Sequence, residues 1–263
     1  MTEIAQVGIV QRYDEGLREE YRLKEQEVHS DKFYDSSAGS CLRKRILQRG
    51  GAAKFSADLQ DLRTFRRGNT VHEEWQRMLA KTGEIDLDSE GKMLLEYRLE
   101  DETSVGRLDF VSHGLLVDIK TQAERAFKFT RGEGKPKSSH ALQVGRYALK
   151  LRAKGISVSE ARIIYVSRGD FCDAIEYAVP LTEDVLDAAR EDQAVENRAW
   201  STYRATCALP LAIAPTNKED YWQCGWCQFA RRCPSANHEK NKYIKAQEAE
   251  GGNNHGLEKN GRK

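Results

Sequence analysis

The stretch that most constrains the fold of this chain covers residues 106–121 and reads GRLDFVSHGLLVDIKT. Apolar and polar residues alternate up to Ser112, and a second, mostly apolar run starts at Leu115. His113-Gly114 lies between the two runs and is typical of a tight turn, because glycine readily adopts positive φ. The stretch therefore predicts a β-hairpin.

A two-residue turn at this point fixes which residues of the hairpin face each other. It places Phe110 opposite Val117 and Leu108 opposite Ile119. We therefore expect these side chains to form one apolar face of the hairpin.

The same register opposes charged residues, with Asp109 facing Asp118 and Arg107 facing Lys120. Like charges that face each other directly on a sheet are destabilising, so we expect a cation between the two carboxylates. Asp118 and Lys120 are two residues apart and share a face. Two carboxylates with one ammonium can hold a hard metal ion together with a phosphate. The alternative is a solvated polar strand face, and a longer turn would shift the register and remove the carboxylate pair.

Composition favours a soluble intracellular protein. The chain has 263 residues, of which 39% are hydrophobic and 32% charged, and its net charge of +1 creates no global attraction to nucleic acid. The first residues lack a secretory signal, and no run approaches the roughly 18 apolar residues that predict a membrane span. We expect a cytoplasmic location with no membrane partner, where the six cysteines are metal ligands or buried thiols rather than disulfides.

The remaining periodicity predicts helices and further strands around the hairpin. Helices are expected at residues 9–28, 41–47, 59–81, 140–154 and 180–205, and strands at 93–99, 161–166 and 174–179. The second long helix carries a possible break at Gly68-Asn69. This order predicts an α/β fold in which a mixed sheet is flanked by helices. We expect a single domain over residues 1–245, with a core at about 68–180, and a disordered tail at 246–263.

Three polar residues outside the hairpin complete a possible site. His72 lies on the helix before the hairpin, where a lone histidine is more often structural. Imidazole suits Mn²⁺ better than Mg²⁺, so a metal role for it favours manganese. Gln143 and Tyr147 are four residues apart and share a face of the next helix.

The order of these motifs resembles the RecB-like branch of the PD-(D/E)xK nuclease superfamily over about residues 68–147. The motifs are Gly68-x3-His72, Gly106-x2-Asp109, Asp118-Ile119-Lys120 and Gln143-x3-Tyr147. The resemblance implies a restriction-endonuclease-like core in which His72, Asp109 and Asp118, with the Ile119 carbonyl, bind Mg²⁺ or Mn²⁺. It also implies that Lys120 positions the attacking water and the phosphate. Gln143 and Tyr147 would face the substrate.

The C-terminal cysteines form the strongest single motif. Cys224-x2-Cys227-x5-Cys233 supplies three ligands and needs a fourth, for which Cys41, Cys172 and Cys207 are the candidates. From spacing alone a structural zinc site fits as well as any other metal centre. A distant N-terminal cysteine before such a motif, around a RecB-like core, resembles the iron–sulfur exonucleases. These include the CRISPR-associated protein four family and the nuclease domain of AddB.

That resemblance implies a four-iron–four-sulfur cluster held by Cys41, Cys224, Cys227 and Cys233 over about residues 35–237. In this interpretation Cys172 packs as a small apolar group and Cys207 is a buried connector. Zinc at the same four cysteines remains the alternative.

Together these features predict a metal-dependent DNA nuclease, acting as an exonuclease on single strands or ends. Four basic residues are expected to follow the DNA backbone, namely Arg125, Lys128, Arg131 and Lys135. The alternatives are a structure-selective endonuclease, a DNA-binding module without catalysis, and a regulator without nuclease activity whose cysteines bind structural zinc. Enzymes of phage recombination, DNA repair and CRISPR adaptation would share this sequence pattern, so the protein partners stay open.

Overall fold

The computed structural model describes residues 8–27, 31–169, 173–214, 220–233, 241–246 and 248. The chain divides into two compact units, the first built from segments 1–38 and 57–193 and the second from 39–56 and 194–263. The single domain expected over residues 1–245 stays a prediction. The expected tail falls on residues of which only 246 and 248 are described.

Six helices are described, and five lie close to their predicted positions. They are α1 (Ile9–Glu27), α2 (Leu42–Arg49), α3 (Leu59–Thr82), α4 (Glu124–Glu133), α5 (Ser138–Ala153) and α6 (Glu183–Thr206). Helix α3 runs unbroken through Gly68, starts at the N-cap Asp58 and ends at Gly83, whose φ of 73° is left-handed. Helix α4 was not predicted.

In the part of the chain that the structure describes, seven strands form two sheets. Strands β1 (Phe33–Tyr34), β2 (Arg98–Glu100) and β3 (Ser104–Arg107) form one sheet in the order β1-β3-β2. Strands β4 (Phe110–Ser112), β5 (Leu115–Gln122), β6 (Glu160–Ser167) and β7 (Ala174–Pro180) form the other in chain order, with β5 and β6 parallel. The predicted α/β class, with mixed sheets between helices, is confirmed.

The hairpin forms at the predicted turn. Phe110 pairs with Val117, and the chain reverses at His113 and Gly114, whose φ values are 50° and 73°. Two consecutive positive φ values are those of a type I′ turn, which suits the right-handed twist of the strands. The ladder itself, however, ends at Phe110.

The predicted pairing beyond Phe110 is wrong. Arg107 does not face Lys120, because it belongs to β3 and pairs with Arg98 in the other sheet. Leu108 and Ile119 lie in different apolar clusters. The cause is that the chain leaves one sheet and enters the other at Leu108-Asp109, so the alternation of side chains is interrupted there.

The central strands β5 and β6 of the four-stranded sheet in the first unit are largely buried on both faces, whereas the edge strand β7 has exposed residues. One face packs against α5 in a cluster that includes Leu116 and Val144, and the other packs against α3 in a cluster that includes Val71 and Val117. Since successive residues of a strand alternate in direction, Asp118 and Lys120 of β5 point to the α5 face and Ile119 to the α3 face. This alternation sets the two sides of the candidate site.

The second unit has its own small core. Phe55 and Tyr243 stack there with ring centroids 5.6 Å apart, beside Ala230 and Cys233. A buried ion pair joins Arg45 of α2 to Glu196 of α6 at 2.7 Å. The C-terminal cysteine motif lies on two short 3₁₀ segments, Tyr221–Trp226 and Ala230–Arg232: Cys224 is within the first, and Cys227 and Cys233 directly follow the first and the second.

Across the described part of the chain, no helix combines the length and the apolar character that a membrane crossing requires.

Candidate active site

The candidate site of the first unit lies where the chain passes from one sheet to the other. Asp109 occupies the connection itself, immediately before β4, and Asp118 and Lys120 lie on the neighbouring strand β5. Helix α3 supplies His72, and helix α5 supplies Gln143 and Tyr147. The fold therefore brings the polar residues of the four sequence motifs to one region.

Both oxygens of the Asp109 carboxylate have partners. Oδ1 lies 3.1 Å from Nδ1 of His72, and Oδ2 accepts a hydrogen bond of 2.6 Å from the Ile119 backbone N–H. Burial by itself would lower the pKa of His72, but the hydrogen bond and negative charge of Asp109 outweigh it and raise that pKa. The carboxylate is thus held with one edge towards the imidazole.

Asp118 forms the second carboxylate of the site and is almost fully buried. The Lys120 ammonium lies 2.9 Å from its Oδ1 and 2.8 Å from its Oδ2. Burial raises the pKa of Asp118 to about 6, and the nearby charge of Asp109 acts in the same direction against the opposing effect of Lys120. The two carboxylates therefore repel each other although no ladder pairs them.

Gln143 and Tyr147 form a hydrogen-bonded chain behind Asp118. The Gln143 amide donates to the Tyr147 hydroxyl at 2.8 Å and to Asp118 Oδ1 at 3.4 Å. Tyr147 is only 2% exposed, and its ring packs in the apolar cluster against α5. Burial raises the pKa of Tyr147 well above its ordinary value. Its ring is therefore part of the core, and its hydroxyl supports Gln143.

Glu96 is a residue of the site that the sequence did not reveal. Its carboxylate, the Asp109 carboxylate and the His72 imidazole each offer one ligand atom, and these atoms lie within 4.8 Å of one another. Gln76 of α3 donates to the Glu96 carboxylate, and the Glu96 backbone N–H donates to the Asp109 carbonyl at 2.9 Å. Glu96 has a φ of 47°, so it lies in an irregular segment where the sequence predicts a strand.

The donor set fits a hard divalent cation. Carboxylate oxygens suit Mg²⁺ and Mn²⁺, and the imidazole of His72 adds a ligand that Mn²⁺ accepts more readily. A cation would also offset the repulsion between Asp109 and Asp118. Of the predicted ligands, His72 and Asp109 are in direct contact, while the Asp118 side chain is bonded to Lys120 and Gln143.

An open cleft of about 500 Å³ gives access to the carboxylates from the α5 face. Besides the motif residues, its lining includes the basic residues Arg98 and Arg107. Arg107 is largely exposed and lies 3.4 Å from Glu96. Arg98 pairs with Glu100 at 2.7 Å, so both arginines at the cleft are partly neutralised by neighbouring carboxylates.

The four predicted DNA-binding residues lie on α4 or just after it, and all are exposed. Lys128 pairs with Glu124 at 2.5 Å, and Arg131 pairs with Asp173. Arg125 and Lys135 complete the group. The described residues that line the 500 Å³ cleft include none of these four.

The second unit brings the four predicted cluster ligands to one pocket, which Cys41, Cys224, Cys227 and Cys233 line together. Burial raises the pKa of Cys227, and the neighbouring thiols of Cys41 and Cys233 add to this. Arg43 donates to the Cys233 sulfur at 3.7 Å.

The other two cysteines differ from this group. Cys207 is exposed and has a φ of 57° just after α6, so the expectation of a buried connector is wrong. Cys172 lies outside the described residues.

A mixed sheet between helices, with two carboxylates, a histidine and a lysine at one strand junction, is an arrangement suited to metal-assisted hydrolysis of phosphodiesters. The family model of the PD-(D/E)XK nuclease superfamily matches residues 11–234, and the chain belongs to this superfamily. It is therefore a nuclease, which hydrolyses phosphodiester bonds.

Solved structures are similar in fold at low sequence identity. The structure of SSO0001 is 16% identical with a TM-score of 0.50, over 87% of this chain and 98% of that one. An alkaline exonuclease from Laribacter hongkongensis is 13% identical with a TM-score of 0.47, over 67% and 91%. A phage-related exonuclease from Haemophilus somnus 129PT is 12% identical with a TM-score of 0.46, over 67% and 96%. No curated protein matches this chain.

Proposed function

We propose that this chain is a metal-dependent deoxyribonuclease that acts as an exonuclease on single-stranded or end-bearing DNA. The observation that carries the proposal is the contact of two carboxylates with a histidine and a lysine: Asp109 bonds to His72, and Asp118 to Lys120. The exonuclease assignment draws on the motif order shared with RecB-like nucleases. The composition and the free cysteines support a cytoplasmic location.

Each residue has a distinct role in the proposed reaction. His72, Asp109 and Asp118, with the Ile119 carbonyl and Glu96, would hold Mg²⁺ or Mn²⁺. When bound, this ion lowers the pKa of water and offsets negative charge on the phosphate. The Lys120 ammonium orients the attacking water and stabilises the charge that develops on the phosphate oxygens. Gln143, supported by Tyr147, positions Asp118.

We propose that the four basic residues on α4 and just after it bind the DNA backbone through their positive charge. Arg125 and Lys135 are the ones we expect to contact DNA phosphates most directly, because Lys128 and Arg131 already pair with carboxylates. Each phosphate contact should contribute to the salt dependence of DNA binding.

We further propose that the four clustered cysteines hold a four-iron–four-sulfur cluster. The four cysteines line one pocket. The choice of iron–sulfur over zinc draws on the resemblance of a distant N-terminal cysteine before a C-terminal Cys-x2-Cys-x5-Cys motif to the iron–sulfur exonucleases, because four thiolates also satisfy a zinc ion. One zinc ion per chain would contradict this assignment.

The catalytic proposal is tested with labelled single- and double-stranded DNA whose ends are blocked in turn, incubated with Mg²⁺ or Mn²⁺. Stepwise products that require an open end support the exonuclease, and internal cuts in fully blocked DNA indicate the endonuclease. Asp109→Ala, Asp118→Ala and Lys120→Ala should each remove nearly all cleavage. Lys81→Ala, at an exposed lysine in the last turn of α3, is the control. Undiminished cleavage by the Asp118 and Lys120 variants would overturn the proposal.

A further inference from the structure

A second cavity adjoins the candidate site on the α3 face and has a volume of about 460 Å³, which is within the range of small-ligand sites. It shares His72, Ile119 and Lys120 with the catalytic region. Lys120 also lines the first cleft. The space around the metal ligands therefore opens on both faces of β5.

One wall of this cavity is aromatic. Tyr21 of α1 and Phe65 of α3 stack with ring centroids 5.7 Å apart and an angle of 17° between their planes. Both residues line the cavity, and Phe65 is 42% exposed although it is a large apolar side chain. A near-parallel aromatic pair at a cavity wall offers a planar surface on which another ring can stack.

The charged residues of the cavity are mostly basic. Arg66 of α3 and Arg168, which follows β6, line it together with Lys120, against the single carboxylate of Glu20. Burial lowers the pKa of Arg168, with a smaller effect from nearby Arg67. An arginine retains its charge under such shifts. Arg66 pairs with Glu73 at 3.1 Å and Lys120 with Asp118 at 2.8 Å, so the cation that we consider for an incoming anion is Arg168. A planar apolar wall with a guanidinium in the same cavity matches a ligand that has an aromatic ring and a phosphate.

We propose that this cavity binds one nucleotide of the substrate strand, next to the phosphate that is cleaved. Its base stacks on the Tyr21–Phe65 pair and its phosphate lies at Arg168. The strand then passes from the first cleft to this cavity beside Lys120, which lines both. This inference rests on the proposed nuclease function, because it is the scissile strand that joins the two openings.

The binding test separates this inference from catalysis. In an Asp118→Asn background that does not cleave, single-stranded oligonucleotide affinity is measured by fluorescence anisotropy. Base–aromatic stacking predicts that Phe65→Ala and Tyr21→Ala each weaken binding by about 5- to 100-fold. Phe65→Trp should retain affinity, and Phe65→Leu, which fills space without a planar ring, should lose it. Tyr13→Ala is the matched control, since Tyr13 is an aromatic residue of α1, like Tyr21, that is 54% exposed and does not line this cavity.

The charge test uses Arg168→Gln with Arg77→Gln as its control, because Arg77 is an exposed residue of α3 paired with Glu74. Arg168→Gln should weaken binding and reduce its salt dependence, and Arg77→Gln should change neither. Photocrosslinking of 5-iododeoxyuridine, placed in turn at each position of the oligonucleotide, should label Tyr21 or Phe65 from one position only.

The outcomes are distinguishable. If the wild-type protein cleaves DNA but Phe65→Ala and Phe65→Leu bind as tightly as the unaltered ring, the inference is overturned and the proposed function stands. If the wild-type protein cleaves no DNA with either metal, the proposed function fails first. Thermal unfolding of each variant identifies any loss of affinity that comes from a damaged fold, and Phe65→Trp then decides whether a ring restores binding.

Discussion

Gly106 contributes to the site because it has no side chain. A Cβ atom at this position would lie 2.5 Å from Cε1 of Tyr147 and 2.6 Å from Oδ2 of Asp35. The φ of Gly106 is not left-handed. A glycine is therefore needed here because β3 approaches α5 too closely for a side chain. Gly106 therefore allows β3 to pack against Tyr147, whose hydroxyl accepts a hydrogen bond from Gln143 next to Asp118.

Gly106→Ala should consequently destabilise the first unit by about 1–3 kcal/mol, the usual cost of overpacking a core. Gly132→Ala is the matched control, because a Cβ there meets nothing within 4 Å and the position is helical. It should leave stability unchanged or raise it by up to about 1 kcal/mol. Urea denaturation measures both, and equal stabilities would show that β3 and α5 can separate without cost.

Metal binding is the second test at the residue scale. Glu96→Gln and His72→Ala should each weaken Mn²⁺ binding by about 10-fold or more, because each removes one donor of the cluster around Asp109. His72→Ala should also reduce any advantage of Mn²⁺ over Mg²⁺. Calorimetric titration gives the affinities without DNA. Glu74→Gln, at an exposed carboxylate of α3, is the control, and an unchanged affinity in Glu96→Gln would exclude Glu96 as a ligand.

Single residues show what the sequence can predict. Asp109, Asp118 and Lys120 were identifiable as charged residues within a largely apolar hairpin sequence, although the ladder ends at Phe110 and Asp109 lies in the connection before β4. Glu96 was not, because its place at the site depends on a positive φ and on contacts with Gln76 and Asp109 that no local pattern encodes.

At the scale of elements, α5 contains a histidine whose environment couples stability to pH. His140 lies against Tyr165 of β6, with Nδ1 2.8 Å from the tyrosine hydroxyl, and has Lys120 and Lys137 nearby. Burial, followed by the charges of these two lysines, lowers the pKa of His140 to about 3. The neutral imidazole is thus the form that the folded protein accommodates.

The sign of the effect follows from proton counts. Between about pH 6.5 and pH 3 the unfolded chain binds a proton at His140 that the folded chain does not, so stability falls as pH falls. The stabilising contribution of the neutral His140 is fully present above about pH 6.5. Each pH unit below this value lowers the free energy of unfolding by up to about 1.4 kcal/mol. Urea denaturation at pH 7 and pH 5 should show a loss that His140→Asn reduces by roughly 1–2 kcal/mol. A loss of the same size in the variant would assign the effect to other groups.

Helices with a clear apolar stripe were predictable, and α4 was not. Only Phe127 and Thr130 of α4 are buried, while Phe129 is exposed. With so narrow an apolar face, its sequence resembles a basic loop. Helix α3 shows the opposite case, because its packing against β5 through Val71 keeps it continuous across Gly68.

At the scale of the whole molecule, the cysteine pocket joins distant parts of the sequence. Cys41 lies on one chain segment of the second unit, and Cys224, Cys227 and Cys233 lie on the other. A cluster at these residues would add its ligand free energy to folding. Anaerobically purified protein should be brown and contain about four irons per chain, as a Cys₄-held cubane requires.

Two substitutions test the ligand set. Cys41→Ser should lose the iron and lower the soluble yield, and Cys207→Ser should keep both, since Cys207 is exposed after α6. Iron analysis and visible absorption measure the outcome. If Cys41→Ser retains the iron and Cys207→Ser loses it, Cys207 is the fourth ligand and Cys41 is not. If the purified protein is colourless and contains one zinc ion, the four cysteines bind zinc rather than an iron–sulfur cluster.

The division of the second unit between two chain segments has a consequence during synthesis on the ribosome. Segment 39–56 emerges early, but its partner begins only at residue 194. At about 5–20 residues per second, the intervening residues take on the order of 10 s to make. Cys41 is therefore the only one of the four pocket cysteines that the nascent chain offers until Cys224 has been made. Any metal centre that needs all four cysteines must be acquired after that point, once both segments of the second unit are available.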